Sequence, residues 1–190
     1  MSKEGFQVSD EDLVEKILNG NIQSFAIVVK DTEKLVTQIV RKMISNEDDQ
    51  KDLVQEIYLR AYQSLSSFQF KSKLSTWIAT IAYNRTIIHL QKKKIPITDI
   101  TESRDEKFPI IENPESATIK AEEALILQTE IARLPPLYKT LITLYHLEEL
   151  PTKEIAEITN LPDGTVKSYL FRARKILKDN ISQHYSQSSS

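Results

Sequence analysis

Cysteine is absent from this 190-residue chain, which excludes a disulfide framework, a cysteine-based zinc site and a thiol switch, and fits a reducing compartment. Glycine occurs only three times, too few for a glycine-rich phosphate loop, and that scarcity argues for helices. The three histidines, His89, His146 and His184, lie far apart without ligand-like spacing. Each reads as a surface or packing side chain, and no metal or nucleotide cofactor is expected. No apolar run approaches the roughly 18 residues of a membrane span, and the acidic stretch 1–20 lacks the apolar centre of a targeting segment. A cytoplasmic protein without membrane insertion is therefore expected. Nor is there an excess of either charge: the net value of −2 gives no global basic signature, so charge has to be read locally. What remains is a chain with 40% hydrophobic residues, enough for one domain or two small ones.

The most informative stretch is Leu150 to Lys178. Pro151 marks a helix start, Ile155 and Ile158 share one face, and Glu154 meets the positive end of the helix dipole. The break at Thr159-Asn160-Leu161-Pro162 stops that helix, and Pro162, harmless in a first turn, opens a second one with Asp163 just inside. Val166, Leu170, Ala173 and Leu177 then form a narrow apolar stripe. Lys167, Ser168, Phe171, Lys175 and Lys178 lie on the opposite side, flanked by Arg172 and Arg174, and no acid occurs from Gly164 to Lys178. The spacing predicts a helix-turn-helix. Its cations suit a phosphate-lined groove, while Thr, Ser and Phe near the helix start suit base edges and thymine methyls. A merely solvated cationic face has the same spacing, but it gains nothing from exposing the ring of Phe171.

The second informative stretch is Ile57 to Thr98, which contains no Asp or Glu. It carries the cations Arg60, Lys71, Lys73, Arg85 and Lys92-Lys93-Lys94 beside Tyr58, Tyr62, Phe68, Phe70, Trp77 and Tyr83. Cations hold a phosphate backbone while rings stack on unpaired bases, each stack contributing roughly 1 to 3 kcal/mol. Core packing competes as an explanation: Leu74, Trp77, Ile78, Ile81 and Ile88 follow helical spacing, so Trp77 serves either purpose. Phe68 and Phe70 sit in the Ser- and Lys-rich connection 66–72, where burial is less obvious.

Elsewhere the periodicity predicts helices over Asp10 to Leu18, over Ile22 to Ile44 as one helix or two, and from the cap Asn46 to about Leu65. Further helices are predicted over Thr118 to Arg133 and Leu137 to Leu147, separated by Pro135-Pro136. Between the halves, Ile95 to Ala117 contains Pro96, Pro109 and Pro114 with six acids and reads as a linker. Ser182 to Ser190 is polar and is expected to fray.

Leu134-Pro135, then EIAE at 154–157, GTVKS at 164–168 and RAR at 172–174 closely resemble the promoter-binding C-terminal domain of extracytoplasmic-function sigma factors of bacterial RNA polymerase. The resemblance extends to DLVQE at 52–56 with Tyr58, Arg60 and Ala61, to Thr76-Trp77-Ile78, and to Ile81-Ala82-Tyr83-Asn84 followed by the basic tail. It implies that Thr165, Lys167, Ser168, Phe171 and Arg172 face the upstream promoter element. It also implies that Asp52, Gln55 and Glu56 dock on the clamp coiled coil of the polymerase; by spacing alone they are an ordinary polar helix face. Phe68, Phe70, Lys73, Trp77, Tyr83 and Asn84 would hold the melted non-template strand of the downstream element, with one base flipped into a pocket. The family commonly has Arg at the place of Tyr83, Asp at that of Ile88 and Arg at that of Gln91, which puts base preference in doubt. The acidic linker, which in the family runs through the polymerase, reads here chiefly as a tether.

Together these readings give an all-α protein: two small helical domains, 1–95 and 118–190, joined by a flexible linker, 96–117, with a helix-turn-helix in the second. The expected partners are core RNA polymerase, promoter DNA as duplex and melted strand, and an anti-sigma factor, the free chain being a monomer. A stand-alone helix-turn-helix regulator leaves the aromatic-basic segment unused, and a helical adaptor leaves Phe171 unexplained. An enzyme finds no nucleophile–base pair, phosphate loop or metal cluster.

Overall fold

Short polar side chains set where the helices of the first half begin. In the computed structural model, which describes residues 9–93 and 119–188, Ser9 accepts from the Asp12 amide at 3.1 Å and opens helix α1, Asp10–Leu18. Gly20, at φ 93°, turns the chain into α2, Ile22–Met43, where Asn21 accepts from the Ser24 amide at 3.2 Å. Asn46 accepts from the Asp49 amide at 2.9 Å to open α3, Glu47–Ser64, whose first turn carries Glu47, Asp48 and Asp49 at the positive end of the helix dipole. The stretch 22–43 is therefore one helix, not two.

A 3-10 turn, Leu65–Ser67, leads through the connection 68–73 to α4, Leu74–Lys92, which has no side-chain cap of its own. Its cap comes from far away in sequence, since the Leu74 amide donates to Asp10 Oδ2 at 2.7 Å. One acid at the start of α1 thus fixes the start of α4. Val36, Ile39 and Val40 of α2 pack with Ile57 and Ala61 of α3 and Ile78, Ala79 and Ala82 of α4 in the core of this first helical domain.

The second domain comprises α5, Ile119–Arg133, α6, Pro136–His146, α7, Thr152–Thr159, and α8, Asp163–Ser188. Leu141 and Leu144 of α6, Ile155 and Ile158 of α7, and Val166, Leu170 and Ala173 of α8 are buried together. The expected amphipathicity of α5 is weak among its described side chains: Leu125 and Leu127 are exposed. Its buried group is instead Glu130, held by Arg133 at 2.6 Å and by Asn180 of α8 at 2.9 Å. At the chain end, helix α8 continues to Ser188, into the polar stretch that begins at Ser182, with no glycine or proline to interrupt it after Gly164.

The two domains touch along α4 with α7 and α2 with α6. Among the described residues every regular element is helical, and no helix is long and apolar enough to cross a membrane. The expected linker, 96–117, lies outside the described residues, as does Lys94 of the lysine run.

Candidate nucleic-acid interfaces

The corner between α7 and α8 is built by Asn160, whose backbone is left-handed at φ 54°. With it in place, the Leu161 amide reaches back to the Ala156 carbonyl at 3.2 Å and the Asn160 amide to Glu157 at 3.5 Å. This double closure satisfies carbonyls that α7 would otherwise leave open, and Asn tolerates the conformation it needs. Pro162 stands just before α8, where its carbonyl accepts the Thr165 and Val166 amides at 2.8 and 3.0 Å.

With Val166, Leu170, Ala173 and Leu177 buried beneath it, α8 turns Lys167, Ser168, Phe171, Arg172, Arg174, Lys175 and Lys178 outward, and Thr165 is half-buried at its start. Phe171 is 68% exposed. Lys167 bridges to Asp163 one turn earlier at 2.6 Å, a contact that holds the Asp163 carboxyl below its usual range. Ser168 donates to the Thr165 carbonyl at 2.9 Å. Arg172 lies over the Tyr169 ring at 5.7 Å. Arg174, by contrast, is drawn down onto α6, over the Tyr145 ring at 5.2 Å and donating to His146 Nε2 at 3.3 Å. Burial, with the Arg174 charge second, pushes His146 below its usual range.

On α3, Asp52, Gln55 and Glu56 are exposed, but Glu56 is engaged by Arg85 of α4. The same face carries Leu59, 58% exposed. The reading of the sequence missed this residue, although its position seven after Asp52 and three after Glu56 was the signal for it.

The connection before α4 and the first turn of that helix gather three rings. Phe68 lies 4.7 Å from Phe70 and 5.3 Å from Trp77, centroid to centroid. Phe70 is exposed and adopts φ 54°, while Trp77 is half-buried. Beside them is an open pocket of about 170 Å³ lined by Ser67, Phe68, Gln69, Lys71, Ser72 and Trp77. Two expected strand contacts are placed otherwise: Phe68 is only 7% exposed and Tyr83 only 6%. Packing under Phe70 and Trp77 turns Phe68 into the floor of the ring cluster. Tyr83 is a core side chain of α4, and that burial pushes its hydroxyl up to about 12.

Lys73 and Asn84 stand on the α4 side that meets α7. Lys73 Nζ lies 3.3 Å from Glu154 Oε2, Thr76 donates to the other oxygen of Glu154, and Asn160 donates to Asn84 Oδ1 at 3.2 Å. Other cations of the acid-free segment also find acids from outside it, Arg85 at Glu56 and Lys93 at Asp49. Among the described residues, no group of three His, Asp or Glu side chains is placed to hold a metal ion.

Comparison with known proteins divides the chain where these surfaces do. The model of Sigma-70 region 2 matches residues 28–95 and that of Sigma-70 region 4 matches residues 124–177. The ECF RNA polymerase sigma-E factor of Haemophilus influenzae is 33% identical over 183 residues, 92% of this chain and 96% of that protein. The ECF RNA polymerase sigma factor SigW of Bacillus subtilis is 32% identical over 88% of this chain and 94% of its own. Among solved structures, the sigma factor RpoE in complex with the anti-sigma factor NepR from Bartonella quintana superposes with TM-score 0.63 at 21% identity, over 84% of this chain and 98% of that one. CnrH, in complex with the cytosolic domain of CnrY, gives 0.61 at 18% over 92% and 97%.

Proposed function

The chain belongs to the extracytoplasmic-function family of RNA polymerase sigma factors, and from that premise we propose that it reads a promoter twice, first as duplex and then as melted strand. Sigma regions 2 and 4 imply promoter-directed transcription with RNA polymerase, and sigma factors are initiation factors without a catalytic step of their own. In the finer reading, α8 enters the major groove at the upstream element, with Thr165, Lys167, Ser168, Phe171 and Arg172 toward the DNA. The observation that carries it is Phe171. A phenyl ring left 68% exposed amid cations is unfavourable in water and favourable against a thymine methyl.

The downstream element is read at the connection before α4. Phe70 and Trp77 offer ring faces, Lys73 and Lys71 offer charge, and the pocket beside them is the place for an extruded base. Phe68 supports these rings from below. Binding the unpaired strand more tightly than the duplex shifts the melting equilibrium without any bond being made or broken. Core polymerase docks on the α3 face of Asp52, Gln55 and Glu56, to which Leu59 adds an apolar anchor. One of the similar structures is a complex with an anti-sigma factor and another a complex with the cytosolic domain of CnrY, and an anti-sigma factor is the expected regulator of this chain too.

Pull-down of purified core polymerase, followed by run-off transcription from a promoter library, tests the reading. Promoter-selective transcripts that require both components are expected. Tight sequence-specific duplex binding without any association with core would instead mark a stand-alone regulator.

A further inference from the structure

The cations of α8 differ in what holds them. Lys167 is engaged by the Asp163 carboxylate, and Arg174 has its Nε donating to His146. Arg172 is held by a ring alone. Its guanidinium carbon lies 5.7 Å from the centroid of Tyr169, one turn earlier on the same helix, because a helical side chain leans toward the helix start and comes back over the neighbour three positions before it. Among the described residues no hydrogen-bond acceptor takes its N–H groups. A carboxylate or an imidazole occupies donors at the edge of a cation, whereas a ring meets the flat face of a guanidinium and leaves the edge N–H groups available.

Tyr169 is itself fixed from below. It is half-buried and packs against the core of the second domain, with its ring 5.6 Å from that of Tyr138 at an interplanar angle of 65°, an edge-to-face arrangement. Tyr138 of α6 is almost wholly buried. Tyr138, Tyr169 and Arg172 thus form a stack that runs from the core out to the surface. Arg172 is exposed at its top, about 100° around α8 from Phe171. A helix seated in a major groove meets bases along its centre and phosphates along its flanks, so the stack ends on a phosphate side of the face.

We propose that Tyr169 is a positioning residue for duplex reading, its ring holding the Arg172 guanidinium on the flank of α8 with its edge free to take one phosphate of the upstream element in a bidentate grip. The proposal rests on the reading of α8 as the helix that enters the major groove, and names what sets one of its contacts. An arginine already lying flat on a ring loses less side-chain freedom on binding than one that moves freely in water. Tyr169 does not touch the DNA; it acts through Arg172.

Duplex affinity of the assembled holoenzyme tests it, read by fluorescence anisotropy on a promoter duplex selected from the library. Tyr169→Leu removes the ring and keeps an apolar side chain on the core. It should weaken binding about threefold, the worth of an exposed cation–π contact, while Tyr169→Phe, which keeps the ring, should bind like the parent chain. The decisive comparison is Tyr169→Leu in an Arg172→Ala background, where no further loss is expected. Equal weakening with and without Arg172 would show that Tyr169 acts on the fold alone, and overturns the proposal. Parent-like binding by either Tyr169→Leu or Arg172→Ala overturns it too, as does a loss in Tyr169→Phe as large as in Tyr169→Leu. Melting temperatures of the free chains verify that the variants stay folded. The reading of α8 is judged separately by Phe171→Ala: a loss of duplex affinity there with no coupling between Tyr169 and Arg172 sinks the proposal alone, and unchanged duplex affinity there sinks the reading.

Discussion

Phe171 and Lys167 share one face of α8 yet make separable contributions to DNA binding. The ring has no salt-dependent role, so Phe171→Ala should lower initiation at the preferred promoter about tenfold, the worth of a single base-edge interaction, and relax discrimination at the base it covers. Lys167 is already paired with Asp163 across one helical turn, and a phosphate competes for it at an exposed site. Lys167→Ala should weaken binding to all sequences alike and lower the slope of log affinity against log salt by about 1. Fluorescence anisotropy of holoenzyme on duplex promoter at several salt concentrations distinguishes the two, and core-polymerase binding should survive both. His146 supplies a pH prediction. Burial and Arg174 lower its folded value below 6.5, so in the window beneath 6.5 the unfolded chain binds more protons than the folded one. Stability contributed here is present above 6.5 and is lost as pH falls toward the lowered folded value. His146→Gln keeps an acceptor for Arg174 but cannot titrate, and its melting temperature should fall less steeply between neutral and mildly acidic pH. An unchanged slope would remove His146 from the acid response.

Helices show which signals were local. The start of α3 and the ends of α1 and α7 were legible because Asn46, Asn19-Gly20 and Thr159-Asn160 act on residues beside them, and the left-handed Asn160 closes α7 as its side chain permits. The start of α4 was not. Its Lys73 cannot cap, and the acceptor for the Leu74 amide is Asp10, which as a first-turn acid of α1 gave no sign of a second role. Asp10→Ala should therefore cost about 1 kcal/mol, a typical cap loss, and should speed amide exchange in the first turn of α4 as well as α1. Asp10→Asn, which retains an acceptor oxygen, should recover most of it. Exchange confined to α1 would show that Asp10 serves its own helix alone. The ring cluster next to this start was partly legible. Six aromatics in an acid-free segment pointed to a surface, but helical spacing could not tell Phe70, which the left-handed turn at φ 54° exposes, from Phe68, which it tucks beneath.

At the scale of the whole molecule, a segment without acids in sequence is not without acids in space. Glu154, Glu56 and Asp49 come from α7 and α3 to meet Lys73, Arg85 and Lys93. No local pattern announces an interaction between residues as distant in sequence as Thr76 and Glu154. The apolar stripes that built each domain were visible, while the polar ties that join them were not, because a buried carboxylate and a solvated one have the same sequence. The α3 face makes the converse point: Leu59 looks like one more apolar position of a helix, but its spacing from Asp52 and Glu56 puts it on their polar face, and it is exposed where Leu53 and Ile57 are buried. A leucine left 58% exposed contributes only part of its burial energy to folding, whereas a fully docked one contributes roughly 1.5 to 3 kcal/mol. Leu59→Gln, a comparable helix former, should thus change the melting temperature of the free chain little and weaken association with core polymerase about tenfold or more. Transcription would fall at every promoter alike, in contrast to the promoter-dependent loss from Phe171→Ala. Core binding as tight as that of the parent chain would move the docking surface off α3.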